Sequence, residues 1–426
     1  MKRLRGIKLS HRKNTENCAT EDLPLPETVR IPMAMTMGRP CTPLVKTGDY
    51  VKVGQKIGDT EEVFAAPVHS GVSGTVRSVS DMRTVSGAVC KMVEIETDGR
   101  QEVSEEVKPP VITDKESFIK AVRESGACGL GGAGFPTHMK LSPKENIDTI
   151  IINGAECEPY ITADYREMIE CPDDVIGGIR LLKDMLGIDR AILAIEANKP
   201  AAIKNFREMA DGDDSIDILK LPSVYPQGAE KVIIYNATGR IVREGELPSA
   251  QGVIVINVST AAFIYRYTRT GMPLVERRLT VDGNAVGEPK NVRAVIGTPL
   301  RGILEYCGTD LEHLRKLIGG GPMMGISIPD IDLPVLKTSN ALLALDRFDE
   351  RETSACIRCG RCVRVCPLGL MPCDIDRAYK TRDIKELRKL KVNLCMNCGS
   401  CTYICPANRK LAETNQLAKA LIPRNK

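Results

Sequence analysis

Cys356-Ile357-Arg358-Cys359-Gly360-Arg361-Cys362-Val363-Arg364-Val365-Cys366-Pro367 has its spacing repeated in Cys395-Met396-Asn397-Cys398-Gly399-Ser400-Cys401-Thr402-Tyr403-Ile404-Cys405-Pro406. In each run two, two and three residues separate successive cysteines, and a proline follows the fourth. That spacing ligates [4Fe-4S] clusters, and in two-cluster ferredoxins the fourth cysteine of each run serves the other cluster. Cys356, Cys359, Cys362 and Cys405 are therefore expected on one cluster, and Cys395, Cys398, Cys401 and Cys366 on the other. A cubane needs thiolates at four corners; a tight loop supplies three and the fourth arrives from elsewhere. The proline stops the chain from continuing as regular structure. Structural zinc more often takes cysteines as separated pairs, so three in one tight run, twice, argue for iron and sulfur.

Around the two runs the pattern is helical. Ile375, Ala378, Ile384, Leu387 and Leu390 space an apolar face through Asp374 to Val392, which points to a helical ferredoxin-like module. Arg358, Arg361 and Arg364 interleave with the first cysteines, whereas the second run carries no charge between its cysteines. Positive charge stabilises a reduced cluster, so the first-run cluster is expected at the higher potential. Lys380, Arg382, Lys385, Arg388, Lys389 and Lys391 outnumber Asp383 and Glu386, which suits a solvated face or the docking of an acidic carrier. Cys373 stands outside both runs and reads as an ordinary thiol.

The rest of the chain is long enough for several domains. With 426 residues, 42% apolar and 27% charged, it is globular rather than disordered and holds roughly two to four domains. A net charge of +4 and the absence of Trp give no support for nucleic-acid binding. Sixteen cysteines, eight of them in the two runs, suit a reducing compartment. Met1 to Ser10 is basic without the apolar core of a signal peptide, and no run approaches the roughly 20 apolar residues of a membrane span. The expectation is a cytoplasmic protein, soluble or peripheral.

Residues 40–80 show short apolar alternations broken by Gly-Asp and Gly-Gln, the mark of strands and hairpins. The style is that of the barrel-sandwich fold of biotinyl and lipoyl carriers. A carrier needs a lysine at the hairpin tip, and Asp59 to Ala65 has none, so residues 1–105 read as a docking or structural β module with His69 structural. Val107 to Asp114 is a Pro-containing linker, and Thr113 or Asp114 can cap a helix through Glu124. Then comes Gly126-Ala-Cys128-Gly129-Leu-Gly131-Gly132-Ala-Gly134-Phe-Pro-Thr-His-Met-Lys140. It follows a helix, not a strand, and no acidic residue stands about 20 residues on at a second strand end, so it is no Rossmann fingerprint. Glycines still let backbone N–H groups close on a phosphate, with Lys140 at hand to neutralise it.

Strands at Asp148–Asn153, Ala191–Ile195 and Ile216–Leu219 alternate with helices at Asp174–Leu186 and Ile203–Met209, which argues a parallel sheet covered on both faces. Functional loops of such sheets lie beyond the strand C-termini, the position of Asn153, Glu156 and Glu158 in Asn153-Gly-Ala-Glu156-Cys157-Glu158-Pro159. Further on, Gly252–Asn257 is another strand, and Leu279–Val286 reads as a hairpin turning at Asp282-Gly283. Leu300–Tyr306 is a short helix and Gly319–Gly325 a tight loop.

The Gly-Leu-Gly-Gly-Ala-Gly-Phe-Pro-Thr loop followed by Asn-Gly-Ala-Glu-Cys-Glu-Pro resembles the flavoprotein subunit of respiratory complex I, which binds FMN and NADH. With the β module in front and two cysteine runs behind, the chain from about residue 20 to about residue 415 resembles the C subunit of the Rnf/Rsx ion-translocating electron transport complex. That resemblance implies a multidomain α/β architecture. Its parts would be a barrel-sandwich module at 1–105, an FMN/NADH-binding-like α/β domain at 112–250, a small β-grasp domain at 251–330 and a helical ferredoxin-like two-cluster domain at 350–415. Gly129, Gly131, Gly132 and Gly134 would hold the FMN phosphate region with Lys140 nearby, and Asn153, Glu156 and Glu158 would border the flavin and nicotinamide. Tyr225 to Lys231 and Asn257 lie where that fold supplies further flavin contacts, and Cys128 and Cys157 read as small buried residues.

By the same resemblance the chain is a peripheral subunit on the cytoplasmic face of a membrane. It would pass electrons between NAD(H), FMN and two [4Fe-4S] clusters. Its partners would be integral membrane and ferredoxin-like subunits of the complex and a ferredoxin-type carrier, with no nucleic acid. At the N-terminus, Arg5 to Ser10 replaces the Gly-Gly-Ile-His-Pro-Pro of many members, and no site residue is carried over there. A soluble electron-transfer protein serving a proline or cobalamin reductase, or a non-catalytic wiring protein, would carry many of the same motifs.

Overall fold

The computed structural model describes residues 5–85, 87–348 and 351–423. From Arg5 the described chain runs without regular structure, turning at residues 14–17, to a short strand, β1 (Thr20–Asp22), and then builds its β module. Strands β2 (Thr28–Pro32), β4 (Tyr50–Val51), β7 (Gly74–Arg83) and β8 (Val89–Thr97) form one sheet in the order β2-β8-β7-β4. β3 (Thr42–Pro43), β5 (Lys56–Asp59) and β6 (Val68–His69) form a second sheet. Alternation along the strands turns Val29, Ile31, Val76, Val93 and Ile95 into the core shared with Ile57 and Val68.

Helix α1 (Lys115–Glu124) starts where Asp114 and Ser117 form a reciprocal capping box, and it buries Phe118, Ala121 and Val122. The glycine loop leads to the single turn α2 (Thr137–Lys140) and then to β9 (Thr149–Gly154). The α/β unit continues through α3 (Ala163–Glu170), α4 (Pro172–Leu186), β10 (Arg190–Glu196), α5 (Pro200–Met209), β11 (Ile216–Leu221), α6 (Glu230–Thr238), β12 (Val253–Asn257) and α7 (Val258–Thr270). Its sheet is wholly parallel, ordered β11-β10-β9-β12. The buried Ile150–Ile152 run of β9 explains its unbroken apolar sequence: both faces are covered.

A mixed six-stranded sheet follows, ordered β1-β14-β13-β17-β15-β16. It is built from β13 (Glu276–Asp282), β14 (Lys290–Val295), β15 (Lys316–Gly319), β16 (Ile326–Ile328) and β17 (Ala341–Leu345), with α8 (Leu300–Tyr306) supplying Leu300, Ile303 and Leu304 to its core. The C-terminal unit is helical: α9 (Arg361–Val365), α10 (Pro372–Lys380), α11 (Ile384–Lys389), α12 (Ser400–Tyr403) and α13 (Leu411–Ala420).

Three expected boundaries move. β12 and α7 belong to the α/β unit, not to a domain starting at 251, because Val253–Asn257 pairs with Thr149–Asn153. The six-stranded sheet runs past 330, because β17 pairs with β13 and β15; it also takes in β1, which pairs in parallel with Asn291–Arg293 of β14. The cluster domain runs past 415, because α13 packs on α10 and buries Ala418. The 279–286 hairpin also differs: Val281 pairs with Lys290, so Asp282-Gly283 opens a wide loop rather than making the whole turn.

Candidate nucleotide and cluster sites

Two strands end side by side where the sheet reverses its order. Asn153 of β9 and Asn257 of β12 are register partners at the C-terminal edge. From β9 the chain goes to β10 on one side and returns to β12 on the other, a topological switch point where open α/β sheets bind ligands. Asn257 caps α7: its Oδ1 accepts from the Ser259 and Thr260 amides at 3.0 and 3.3 Å. Its Nδ2 donates to Asp164 at 2.7 Å. The glycine loop is tied to this helix start by the Leu130 amide, which donates to Thr260 Oγ1 at 3.0 Å.

The loop offers backbone rather than side chains. A Cβ on Gly131 would stand 3.3 Å from Asn257 Nδ2, while Gly132, at φ +104°, faces open space. Gly131, Gly132 and Ala133 are exposed. An exposed glycine loop laid over the start of a long helix suits an anionic phosphate. Lys140 is engaged: its Nζ lies 2.8 Å from Glu230 Oε1 and 2.9 Å from the Val255 carbonyl. A cavity of about 530 Å³ shares Leu130, Asp164 and Ser259 with this region, extends along α7, the 272–275 segment and β13, and does not reach Asn153 or Glu158.

The acidic loop after β9 is held from two sides. Asn153 Nδ2 donates to the Gly228 carbonyl at 2.9 Å, and its Oδ1 accepts from the Ala155 amide at 3.1 Å. Glu156 is buried; its Oε1 accepts from the Asp164 amide at 2.8 Å, and its Oε2 is left without a hydrogen bond. Burial pushes its carboxyl up to about 7, against the pull of the Lys13 and Lys199 ammoniums. Burial likewise raises Glu158, against hydrogen bonds from the Met323 and Met324 amides.

The residue that organises this loop is Lys13, which sequence reasoning passed over. Its Nζ donates to the carbonyls of Glu156 and Glu158, both at 2.9 Å, and to that of Ile161, and stands 3.9 Å from Glu156 Oε2. Its side chain is 7% exposed, and burial lowers its pKa. The signal was faint: one lysine in an N-terminal segment with no helical or strand period. Burial raises the pKa of both Cys128 and Cys157, the latter to about 12, which favours the thiol over the thiolate.

In the helical unit both cysteine runs fold alike. Arg358 and Asn397, just before the second cysteine, are left-handed at φ 56° and 55°, as are Gly360 and Gly399 just after it. Each run then enters a short helix, α9 or α12, and the two helices pack together. Cys366 shares an apolar cluster with Cys395, and Cys362 shares another with both Cys401 and Cys405. Burial pushes Cys401 up to about 12, and the neighbouring Cys395, Cys398 and Cys366 push the same way. The fourth cysteine of the first run thus lies with the second run. Among the described residues no three His, Cys, Asp or Glu side chains converge on one metal ion.

Cys373 is drawn in as well, packed in the same apolar cluster as Cys362. The second run has polar neighbours from outside its own sequence as well as from within it. Asn415 Nδ2 lies 3.6 Å from Cys395 Sγ and Lys419 Nζ donates to the Cys395 carbonyl, while the run's own Ser400 Oγ lies 3.4 Å from Cys398 Sγ. Arg358, Arg361 and Arg364 are all exposed. Among the described residues no helix is long and apolar enough to cross a membrane.

The architecture is that of a flavin-type α/β domain joined to a two-cluster module. Residues 122–266 match the Nuo51 FMN-binding domain, residues 2–100 the RnfC barrel sandwich hybrid domain, and residues 348–406 a 4Fe-4S dicluster domain. The C subunit of the proton-translocating ferredoxin:NAD(+) oxidoreductase complex of Clostridium ljungdahlii is 40% identical, covering 85% of this chain and 80% of the relative. Its counterpart in the Na(+)-translocating complex of Acetobacterium woodii is 39% identical over 87% of this chain and 85% of its own length. The corresponding member of the ion-translocating oxidoreductase complex of Rhodobacter capsulatus is 36% identical over 97% and 81%. The chain belongs to this family of C subunits of ion-translocating oxidoreductase complexes. Among solved structures, a NAD+-reducing [NiFe]-hydrogenase chain overlays 74% of this chain and 64% of its own at 17% identity and a TM-score of 0.49.

Proposed function

We propose that this chain is the electron-carrying C subunit of a ferredoxin:NAD+ oxidoreductase complex that couples electron transfer to ion translocation. The observation that carries the reading is the union, in one chain, of a switch-point site at Asn153 and Asn257 with two like-folded cysteine runs whose short helices pack together and whose Cys366 lies with Cys395. When bound, FMN would interconvert hydride from NAD(H) with single electrons, and two [4Fe-4S] clusters would carry those electrons.

The chain's own residues would bind and position. Gly129, Gly131, Gly132 and Gly134 present backbone amides to the phosphate end beside the start of α7. Lys140, paired with Glu230, sits beneath that region as a fixed positive charge. Asn153, Glu156 and Glu158 border the ring end, and Lys13 holds their loop in shape. Cys356, Cys359, Cys362 and Cys405 would hold one cluster, and Cys395, Cys398, Cys401 and Cys366 the other. Glu156, with its pKa near neutrality, is poised to hold or release a proton beside the pocket.

In this reading the six-stranded sheet with α8 is a β-grasp-type domain, and the C-terminal unit is helical ferredoxin-like. The chain sits peripherally on the cytoplasmic face of the membrane, held there by integral and ferredoxin-like subunits, and exchanges electrons with a ferredoxin-type carrier. Anaerobic purification with iron, sulfide and flavin counted per chain tests the reading. Two clusters and one flavin are expected; a colourless protein holding only zinc would overturn it.

A further inference from the structure

Of the two cysteine runs, only the second is seated on the nucleotide side of the chain among the described contacts. Tyr225 Oη donates to the Cys398 carbonyl at 2.6 Å and lies 3.5 Å from Glu158 Oε1. The other oxygen of Glu158 accepts from the Met323 amide at 3.0 Å. Met323 in turn lies against the run: a Cβ on Gly399 would stand 2.7 Å from the Met323 carbonyl oxygen. That glycine is left-handed at φ +75°, so neither the space nor the backbone admits a side chain. A single seam therefore joins the acidic loop after β9, the β15–β16 turn and the Cys398-Gly399 peptide.

The first run faces away. Cys356 and Cys359 are exposed, Ile357 is 66% exposed, and the contact reaching this run from outside its domain is the exposed Arg5 guanidinium on the Val363 carbonyl at 3.2 Å.

We propose that the second run is the pocket-side ligand set and the first run the outward-facing one, with Tyr225 the positioning residue that seats Cys398 against the nucleotide site. The proposal rests on the flavin and cluster binding argued above. Oxidation of NADH releases NAD+, one proton and two electrons, and the two clusters accept one electron each. The route with the fewest gaps from the pocket enters through the Glu158–Tyr225–Cys398 seam, and the exposed first run is the side open to a partner.

The test uses the full chain, loaded and purified anaerobically. Tyr225→Phe keeps the ring and deletes the donor. Hydrogen exchange at the amides of Gly321, Met323, Met324, Gly325 and residues 398–400 should rise roughly fivefold, one net hydrogen bond's worth of local opening. Reduction of the clusters by NADH should slow in that variant while reduction by dithionite does not, a split that a merely structural role would not produce. In a second pair, Cys362→Ser should leave a cluster whose EPR signal NADH still elicits, whereas Cys401→Ser should leave one that dithionite reduces but NADH does not. Unchanged exchange in Tyr225→Phe, or the opposite ranking of the cysteine variants, overturns the proposal. A wild-type chain holding neither flavin nor iron fails at the earlier reading and takes this one with it; a loaded wild type isolates the proposal.

Discussion

Replacing Lys13 by Met removes the one ammonium that gathers the Glu156, Glu158 and Ile161 carbonyls. Hydrogen bonds from a charged donor are worth about 1.5–3 kcal/mol each, but the ammonium has also given up its hydration, which is why burial lowers its pKa. Breaking a buried pair by deleting one partner costs about 3–5 kcal/mol. Met fills the volume and the 3.9 Å separation from Glu156 is loose, so the lower end, about 3 kcal/mol, is expected. A domain of this size then melts roughly 6–12 °C lower.

The pH dependence has a definite sign. Glu156 titrates near 7 in the fold against an ordinary 4.5. The folded chain therefore holds more protons across that window, and the residue's contribution to stability falls as pH rises through it. Without Lys13 the folded pKa climbs further and the loss extends to higher pH. Glu156→Gln should flatten the dependence, and in the Lys13→Met background it should recover part of the lost stability. The measurements are calorimetric melts from pH 5 to pH 8 and flavin retained per chain. A melting point within about 1 °C of wild type and unaltered flavin would refute the reasoning.

Cys366→Ser should remove the second-run cluster and spare the first, so iron falls by about half and the surviving EPR signal is the one that Cys401→Ser also leaves. Asn415→Leu deletes an N–H donor aimed at Cys395 Sγ and should lower that cluster's potential by about 40 mV in a redox titration, the equivalent of one net hydrogen bond for a one-electron couple. Replacing Arg358, Arg361 and Arg364 together by Ala should lower the first-run potential at low salt, with the difference shrinking at high salt because all three are exposed. Lys337, fully buried with its ammonium on the Pro67 and Gly126 carbonyls, titrates near 8 against an ordinary 10.5. The unfolded chain binds more protons between those values, so stability rises with pH across that window, by at most roughly 3 kcal/mol. Lys337→Met should abolish that rise in urea melts.

The cluster module was legible because ligand chemistry writes itself into spacing: few other sites use three cysteines in so tight a run, twice. The α/β unit was legible for a different reason. Strands such as Ile150–Ile152 and Ala191–Ile195 are buried on both faces, and their continuous apolar runs carry that fact. The boundary after it was not legible. Val253–Asn257 has the same apolar run whether it starts a new domain or returns to β9, and only pairing decides. Electrostatics around the clusters was only half legible for a related reason. The arginines are adjacent in sequence to the first run but are exposed to water, while Asn415 and Lys419 reach the second run from a helix further along the chain.

The N-terminal segment shows most plainly what local sequence hides. Arg5 reaches the cluster domain at Val363, and Ile7 pairs with Tyr225. His11 accepts the Tyr160 amide and meets Asn198, Lys13 grips the acidic loop, and Asn14 bonds Asp282. Thr20–Asp22 then joins the six-stranded sheet. Nothing in this segment has a helical or strand period, because each residue is chosen by a different partner. A chain with no regular structure of its own costs about 1–2 kcal/mol of backbone entropy per residue to fix. The contacts that offset this cost come from several separate units, so the segment orders only once those units are assembled. Its docking is therefore coupled to the same arrangement that seats Tyr225 on Cys398. A change at Lys13 should be felt at the seam with the second cysteine run and not only in the loop that it touches.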